Sequence, residues 1–236
     1  MEADPAERAH HLIWSRHSSR TPFDPTWHVT PRELALLVEA ARWAPSPHNM
    51  QNFQLVVVES PAVLAELGTI RAPMSPLFLA ESSCQLAPTP EELERRQTGI
   101  LATSIPPGGR DQPAPGSAEN PRVLGELISG APMLIVVVFD PTVHAPASEH
   151  DVLGMMGLGC MLENMWLIAQ ALHLDFQVVS SFAAPEIERD VEHVLAITAP
   201  WRIAYALRIG HAIAPQITPR IRRDVVRFVH RDHFAK

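Results

Sequence analysis

The sequence predicts an α+β fold, and three observations carry that prediction. Apolar runs at Phe53–Val58, Met133–Phe139 and 203–209 have the length and composition of buried strands. Helical patterns lie between them without the strict strand–helix–strand alternation of a parallel sheet. The stretch 151–173 is apolar on nearly every side, yet it carries Glu163, Asn164, Gln170 and three glycines, which suits a helix buried in a core or an interface better than a membrane span.

The elements follow in order. Residues 6–17 read as a helix bringing Leu12, Ile13 and Trp14 up to the polar stretch Arg16-His17-Ser18-Ser19-Arg20. Thr30-Pro31-Arg32-Glu33 is a capping box with proline at the first helical position, and Leu34, Leu37, Val38 and Ala41 continue it as a helix over 31–44. Pro45 stops that helix. The loop Ser46-Pro47-His48-Asn49 then leads into the strand at 53–58. A short helix is expected at 61–68 and another around 91–98. From the end of the 61–68 helix to about 122 the chain carries Pro88, Pro90 and a proline- and glycine-rich run over 105–121, which marks a candidate lid. Beyond the strand at 133–139 come the apolar helix, a strand at 176–182, a helix at 186–195 and a last strand closing at Gly210. The tail from 215 carries Arg220, Arg222 and Arg223, then Val225, Val226, Phe228 and Val229, and is too apolar to stay unpacked.

Composition bounds the function. With 236 residues, 46% hydrophobic and 19% charged, the chain is read as one globular domain over 1–236. A net charge of -7 argues against a nucleic-acid or anionic-membrane partner. The two cysteines, Cys84 and Cys160, form neither a disulfide framework nor a metal motif. Residues 1–9 are charged with no apolar run of a signal peptide, so a cytoplasmic protein is expected. Lys236 is the sole lysine, which excludes a Walker A loop, and no Gly-x-Ser-x-Gly occurs. His230-Arg231-Asp232 stands at the chain end without a glycine-rich loop, and Gly157-x-Gly159 falls inside a helix; neither carries its usual meaning. The twelve histidines show no metal-ligand spacing.

Two guanidiniums four residues apart with hydroxyls between them can hold a phosphate. That stretch, the loop Ala44-Pro45-Ser46-Pro47-His48-Asn49-Met50-Gln51 and the tail pair Arg220/Arg222 resemble, in order and spacing, the nitroreductase family of FMN-dependent oxidoreductases. Ala131-Pro132 opening a strand, the helix segment Gly159-Cys160 to Asn164-Met165-Trp166, and Leu207-Arg208-Ile209-Gly210 agree with it. The resemblance covers about 16–60 and 128–228 and leaves 61–127 uncovered as a lid-like segment.

The resemblance implies a mainly antiparallel central sheet flanked by helices, with the long apolar helix at a homodimer interface. It implies FMN as cofactor and NAD(P)H as co-substrate, with hydride passing to the flavin and on to a small-molecule acceptor such as a nitroaromatic or quinone in a ping-pong cycle. Specialised flavin chemistry (flavin fragmentation, dehalogenation, azoline oxidation) and non-catalytic flavin binding are alternatives on the same fold. Residue by residue, Arg16 and Ser18 with Arg220 and Arg222 match phosphate-binding positions, and Arg20 matches a basic residue near the pyrimidine end of the ring. His17 lies within the same stretch, and Ser19 reads as a spacer. Ser46, Pro47, Asn49 and Gln51 would lie against the ring. Val179, Ser180 and Ser181 fall where the family presents a backbone N–H to flavin N5, here without the usual glycine. No side chain is implied as nucleophile or general acid/base, and no metal.

Overall fold

Prolines at the first turn set the start of most helices. The computed structural model describes residues 4–73, 76–102, 122–146, 148–214 and 219–234. In chain order these form α1 (Pro5–Ser15), α2 (Pro31–Arg42), β1 (Phe53–Val58), α3 (Pro61–Gly68), α4 (Pro76–Gln85), β2 (Leu86–Ala87), α5 (Pro90–Arg96), β3 (Ile100–Leu101), α6 (Leu124–Leu127), β4 (Met133–Phe139), α7 (Val152–Ala171), β5 (Asp175–Val179), α8 (Pro185–Val194) and β6 (Arg202–Gly210). Short 3₁₀ turns stand at Pro47–Asn49, Glu149–Asp151, Ser180–Ala183 and Val225–Arg227. The capping box forms as expected, with Glu33 N donating to Thr30 Oγ1 at 3.3 Å and Thr30 N to Glu33 Oε2 at 2.8 Å.

The chain separates into two units, residues 1–72 with 123–215 and residues 73–122 with 216–236. The first is built on a four-stranded sheet in the order β1-β4-β6-β5, antiparallel throughout. Both faces are covered. Alternation sends Met133, Ile135, Val137, Leu207 and Ile209 against Leu37 and Ala41 of α2 and Leu158, Met161, Met165 and Ala169 of α7. The opposite set, Leu134, Val136, Val138, Ile203 and Ala206, packs with Leu67, Leu124, Phe182, Ile187 and Val191 from α3, α6, the Ser180–Ala183 turn and α8. Two covered faces explain why β4 is buried at nearly every position and reads as a continuous apolar run.

Three expectations shift. The strand expected at 176–182 begins at Asp175 and ends at Val179, because the chain turns into a 3₁₀ helix that plants Phe182 in the core. The 61–127 stretch is not wholly peripheral: Leu67 and Leu124 at its two ends are fully buried, while residues 103–121 of the expected lid lie outside the described residues. Of the described tail residues, Ile221 packs against Ala87, Leu93 and Leu101 in the second unit's small core. Val225, Val226, Phe228 and Val229 are exposed.

In that second unit β2 and β3 pair in parallel and α5 is capped by Thr89. Arg95 and Arg96 both bind Glu92 and hold its carboxyl down at about 2.

In the first unit, the buried Glu188 carboxylate accepts from Arg202 Nε at 2.7 Å and from Ile203 N at 3.1 Å. These bonds, Arg202's foremost, hold its pKa below the ordinary carboxylate value. A depressed folded pKa contributes stability above the unfolded value of about 4.3 and loses it as pH falls through the folded one. Replacing Glu188 with glutamine is therefore expected to cost about 1–2 kcal/mol at pH 7, since Arg202 is half in solvent, and less at pH 3. Urea denaturation at the two pH values measures the difference.

Candidate functional site

The site is built on α7. Arg16, just past α1, lays its guanidinium over the Trp166 ring, 4.5 Å from the centroid, and its Nε stands 3.0 Å from Glu163 Oε1. Trp166 Nε1 donates to the His17 carbonyl at 3.0 Å, and its ring stacks on Phe176 at 5.1 Å. One turn of α7 thus fixes both the backbone and the first cation of the 16–20 stretch. His17 places Nε2 3.9 Å from Asp175 Oδ1. Ser18 is half-buried, and Arg20 is sufficiently enclosed that burial lowers its pKa. The donors are a held Arg16 cation, a second cation at Arg20 and a hydroxyl at Ser18, a set that suits an anion.

The 46–51 loop meets α7 closer to the helix start. Gly157 permits the approach, for a Cβ there would come within 3.3 Å of the Pro45 carbonyl oxygen and 3.6 Å of Ser46 Cα. Six residues separate Gly157 from Glu163, about 9 Å along the helix axis. The loop holds an uncommon backbone: His48, Asn49 and Gln51 have φ of 50°, 54° and 47°. Such left-handed residues cost roughly 1–2 kcal/mol each. Here they are locked by Asn49 N to Ser46 O and Met50 N to Pro47 O, both 3.0 Å, and by Gln51 N to Ser46 Oγ at 3.1 Å. Gln51 Nε2 donates to Asn49 Oδ1 at 2.9 Å, so two exposed amides stand together on a rigid turn. Asn164 Nδ2 donates to the Ala40 carbonyl at 3.2 Å and holds α2, which feeds this loop, against α7.

Val179 ends β5 with its side chain in the core, Ser180 is exposed and Ser181 is half-buried. These residues stand at the far end of the strand that begins at Asp175, roughly 13 Å away at strand rise. Arg220 and Arg222 belong to the second unit, where both are exposed and Arg222 Nη1 donates to the Ile221 carbonyl at 2.8 Å. Sequence reasoning missed Glu163, already paired with Arg16, and it missed the half-buried Asp175 and the buried Arg208 that hold the 16–20 stretch. A charge inside an otherwise apolar strand, as in Leu207-Arg208-Ile209, was the available signal.

The nitroreductase family matches residues 13–211, which span both the 16–20 stretch and the 46–51 loop. No curated protein sequence matches the chain. Among solved structures, a nitroreductase with bound FMN from Desulfitobacterium hafniense is 20% identical, with 98% of this chain and 99% of that one covered and a TM-score of 0.59. A nitroreductase with bound FMN from Bacteroides fragilis is 17% identical, covering 94% and 98%, at a TM-score of 0.58. An FMN-dependent nitroreductase from Mycobacterium smegmatis, in complex with NADPH, is 18% identical over 89% and 90% at a TM-score of 0.61. At these identities the likeness shows a shared fold, and it agrees with the antiparallel sheet and flanking helices found here. With the family pattern matched over most of its length, from the end of α1 to just past β6, the chain belongs to the nitroreductase family.

Proposed function

We propose that this protein is an FMN-dependent oxidoreductase that takes hydride from NAD(P)H and passes it to a small acceptor, a nitroaromatic, a quinone or a related compound, in a ping-pong cycle. The observation that carries the proposal is the fixed Arg16 guanidinium, held between the Trp166 face and Glu163 beside Ser18 and Arg20. Bound FMN would supply the two-electron chemistry, and the protein's own groups bind and orient it. Arg16, Ser18 and the His17 backbone region would hold the phosphate, while Arg20 would place positive charge near the pyrimidine end of the ring, where it favours uptake of electrons. Ser46, Pro47, Asn49 and Gln51 would form a rigid edge for the ring, and Val179, Ser180 and Ser181 would offer backbone N–H groups to N5. The donor set fits the cofactor, because it pairs cations with a hydroxyl; the anions beside it among the described residues are Glu163, which stands against Arg16, and Asp175, which is engaged by Ser19 and Ala212 N.

The family resemblance, the solved relatives with FMN or NADPH and the apolar surface of α7 support the reading. Val152, Leu153, Met155 and Met156 on α7 are exposed in the single chain, so we propose that a second copy of the chain covers them. The experiment is to titrate purified protein with FMN and follow the flavin spectrum under anaerobic conditions. A bound flavin that bleaches with NADH or NADPH and recovers on adding a nitroaromatic or quinone is expected. Protein that binds no flavin overturns the reading.

A further inference from the structure

Arg208 is almost fully buried, yet it is a full cation inside the sheet face that carries Ala206 and Leu134. Its guanidinium lies 4.1 Å over the Phe23 ring. Nη1 donates to the carbonyls of Leu127 and Ser129, both at 3.3 Å, and Nη2 donates to the carbonyls of Ser19, at 3.0 Å, and Thr21. Burial lowers its pKa to about 10, with Asp175 acting in the opposite direction, so the charge persists at neutral pH. An apolar side chain of similar volume would fill this space without the desolvation cost of an ion, so stability alone is a weak reason for an arginine here.

Its acceptors suggest another reason. Ser19 and Thr21 flank Arg20, so one guanidinium grips the backbone on both sides of that residue. Ser19 is the most tightly held residue of the stretch: its N–H donates to the Phe176 carbonyl at 3.0 Å, its carbonyl accepts from Arg208, and its Oγ donates to Asp175 Oδ1. Asp175 Oδ2 in turn accepts from Ala212 N at 2.8 Å, which ties the cluster to the segment after β6. Arg16 is fixed from α7, and the other end of the stretch is fixed from β5 and β6.

We infer that the buried Ser19 and Arg208, with the half-buried Asp175, form a positioning unit that sets the 16–20 backbone for recognition of a phosphomonoester, although none of the three need touch the ligand. The inference rests on the flavin reading above and deepens it. Ser19 is then a positioning residue and not a spacer. Orienting groups of this kind act through geometry: a displaced backbone moves Ser18 and the two flanking cations together.

The test compares FMN with riboflavin, which shares the ring and lacks the phosphate, by fluorescence titration of wild type, Ser19→Ala, Ser19→Thr and Arg208→Met. Wild type is expected to prefer FMN. Ser19→Ala and Arg208→Met are expected to lose about tenfold of FMN affinity with riboflavin affinity nearly unchanged, and Ser19→Thr, which keeps the hydroxyl, to retain the preference. If Arg208→Met does not fold, Ser19→Ala decides, because it removes one hydroxyl and leaves the main-chain bonds. Equal losses for both flavins, or no loss for either, would show a role in stability alone and overturn the inference while leaving the flavin reading intact. A wild type that binds neither flavin overturns the flavin reading itself, and the inference with it.

Discussion

Replacing Arg16 with alanine should weaken FMN binding by roughly ten- to a hundredfold while leaving the fold in place. That range corresponds to one charge-assisted contact worth about 1.5–3 kcal/mol. Arg16 is suited to so large an effect because little of its conformational freedom remains to be lost on binding: the Trp166 ring already holds its guanidinium. Its truncation removes a partly exposed ion pair and one cation–π contact from the free protein, each worth about 1 kcal/mol or less at such a site. The companion change runs the other way. Glu163→Gln keeps the shape but removes the anion that shares Arg16, so FMN affinity is expected to rise by up to about fivefold, the most that a screened, part-exposed pair can withhold. Flavin fluorescence titration of both variants, with thermal melts as the control for folding, gives the answer. An Arg16→Ala protein that binds FMN as wild type does would remove the phosphate from this position.

The opposite signs of these two changes show what was legible in the sequence and what was not. Arg16 could be singled out because its spacing to Ser18 and Arg20 is local. Glu163 lies 147 positions away and reads as one polar residue on an apolar helix, so its partner became visible only once α7 was folded against the end of α1. The same division runs through the fold. β1, α3 and β4 fall where the sequence places them, because proline, capping groups and uninterrupted apolar runs are local signals. β5 ends earlier than its apolar run, since Phe182 is as well buried in a turn as in a strand and its sequence cannot distinguish the two. Asp175, Ser19 and Arg208 come from three distant segments: the antiparallel register of β5 with β6 brings Asp175 near Arg208, and the bond from Ser19 N to the Phe176 carbonyl adds Ser19. The left-handed run at His48, Asn49 and Gln51 was likewise hidden, because none of the three is glycine.

Gly130→Ala should be the most destabilising single-atom addition in the first unit, costing about 3 kcal/mol or more. Gly130 has φ of +70°, and a Cβ built on it would stand 1.9 Å from the Phe23 carbonyl oxygen and 2.9 Å from its carbon. These are backbone atoms, and they cannot swing aside. Phe23 N donates to the Ser129 carbonyl at 3.1 Å, Asp24 N donates to the His211 carbonyl at 2.8 Å, and Phe23 is bridged to Ala212. For a chain of this size such a loss lowers Tm by roughly 6–12 °C. Gly68→Ala is the matched control. Its Cβ would meet only Gly125, at 3.5 Å from Cα, an ordinary contact, and a shift within about 1 kcal/mol is expected. The effect should also reach the site, because the Phe23 ring lies under Arg208 and Arg208 holds Ser19 and Thr21. At a temperature where Gly130→Ala remains folded, its preference for FMN over riboflavin should therefore fall below that of wild type, whereas Gly68→Ala should keep it. A Gly130→Ala protein with wild-type Tm would mean that Phe23 yields without cost, and the rigid support inferred for the 16–20 stretch would have no foundation on that side.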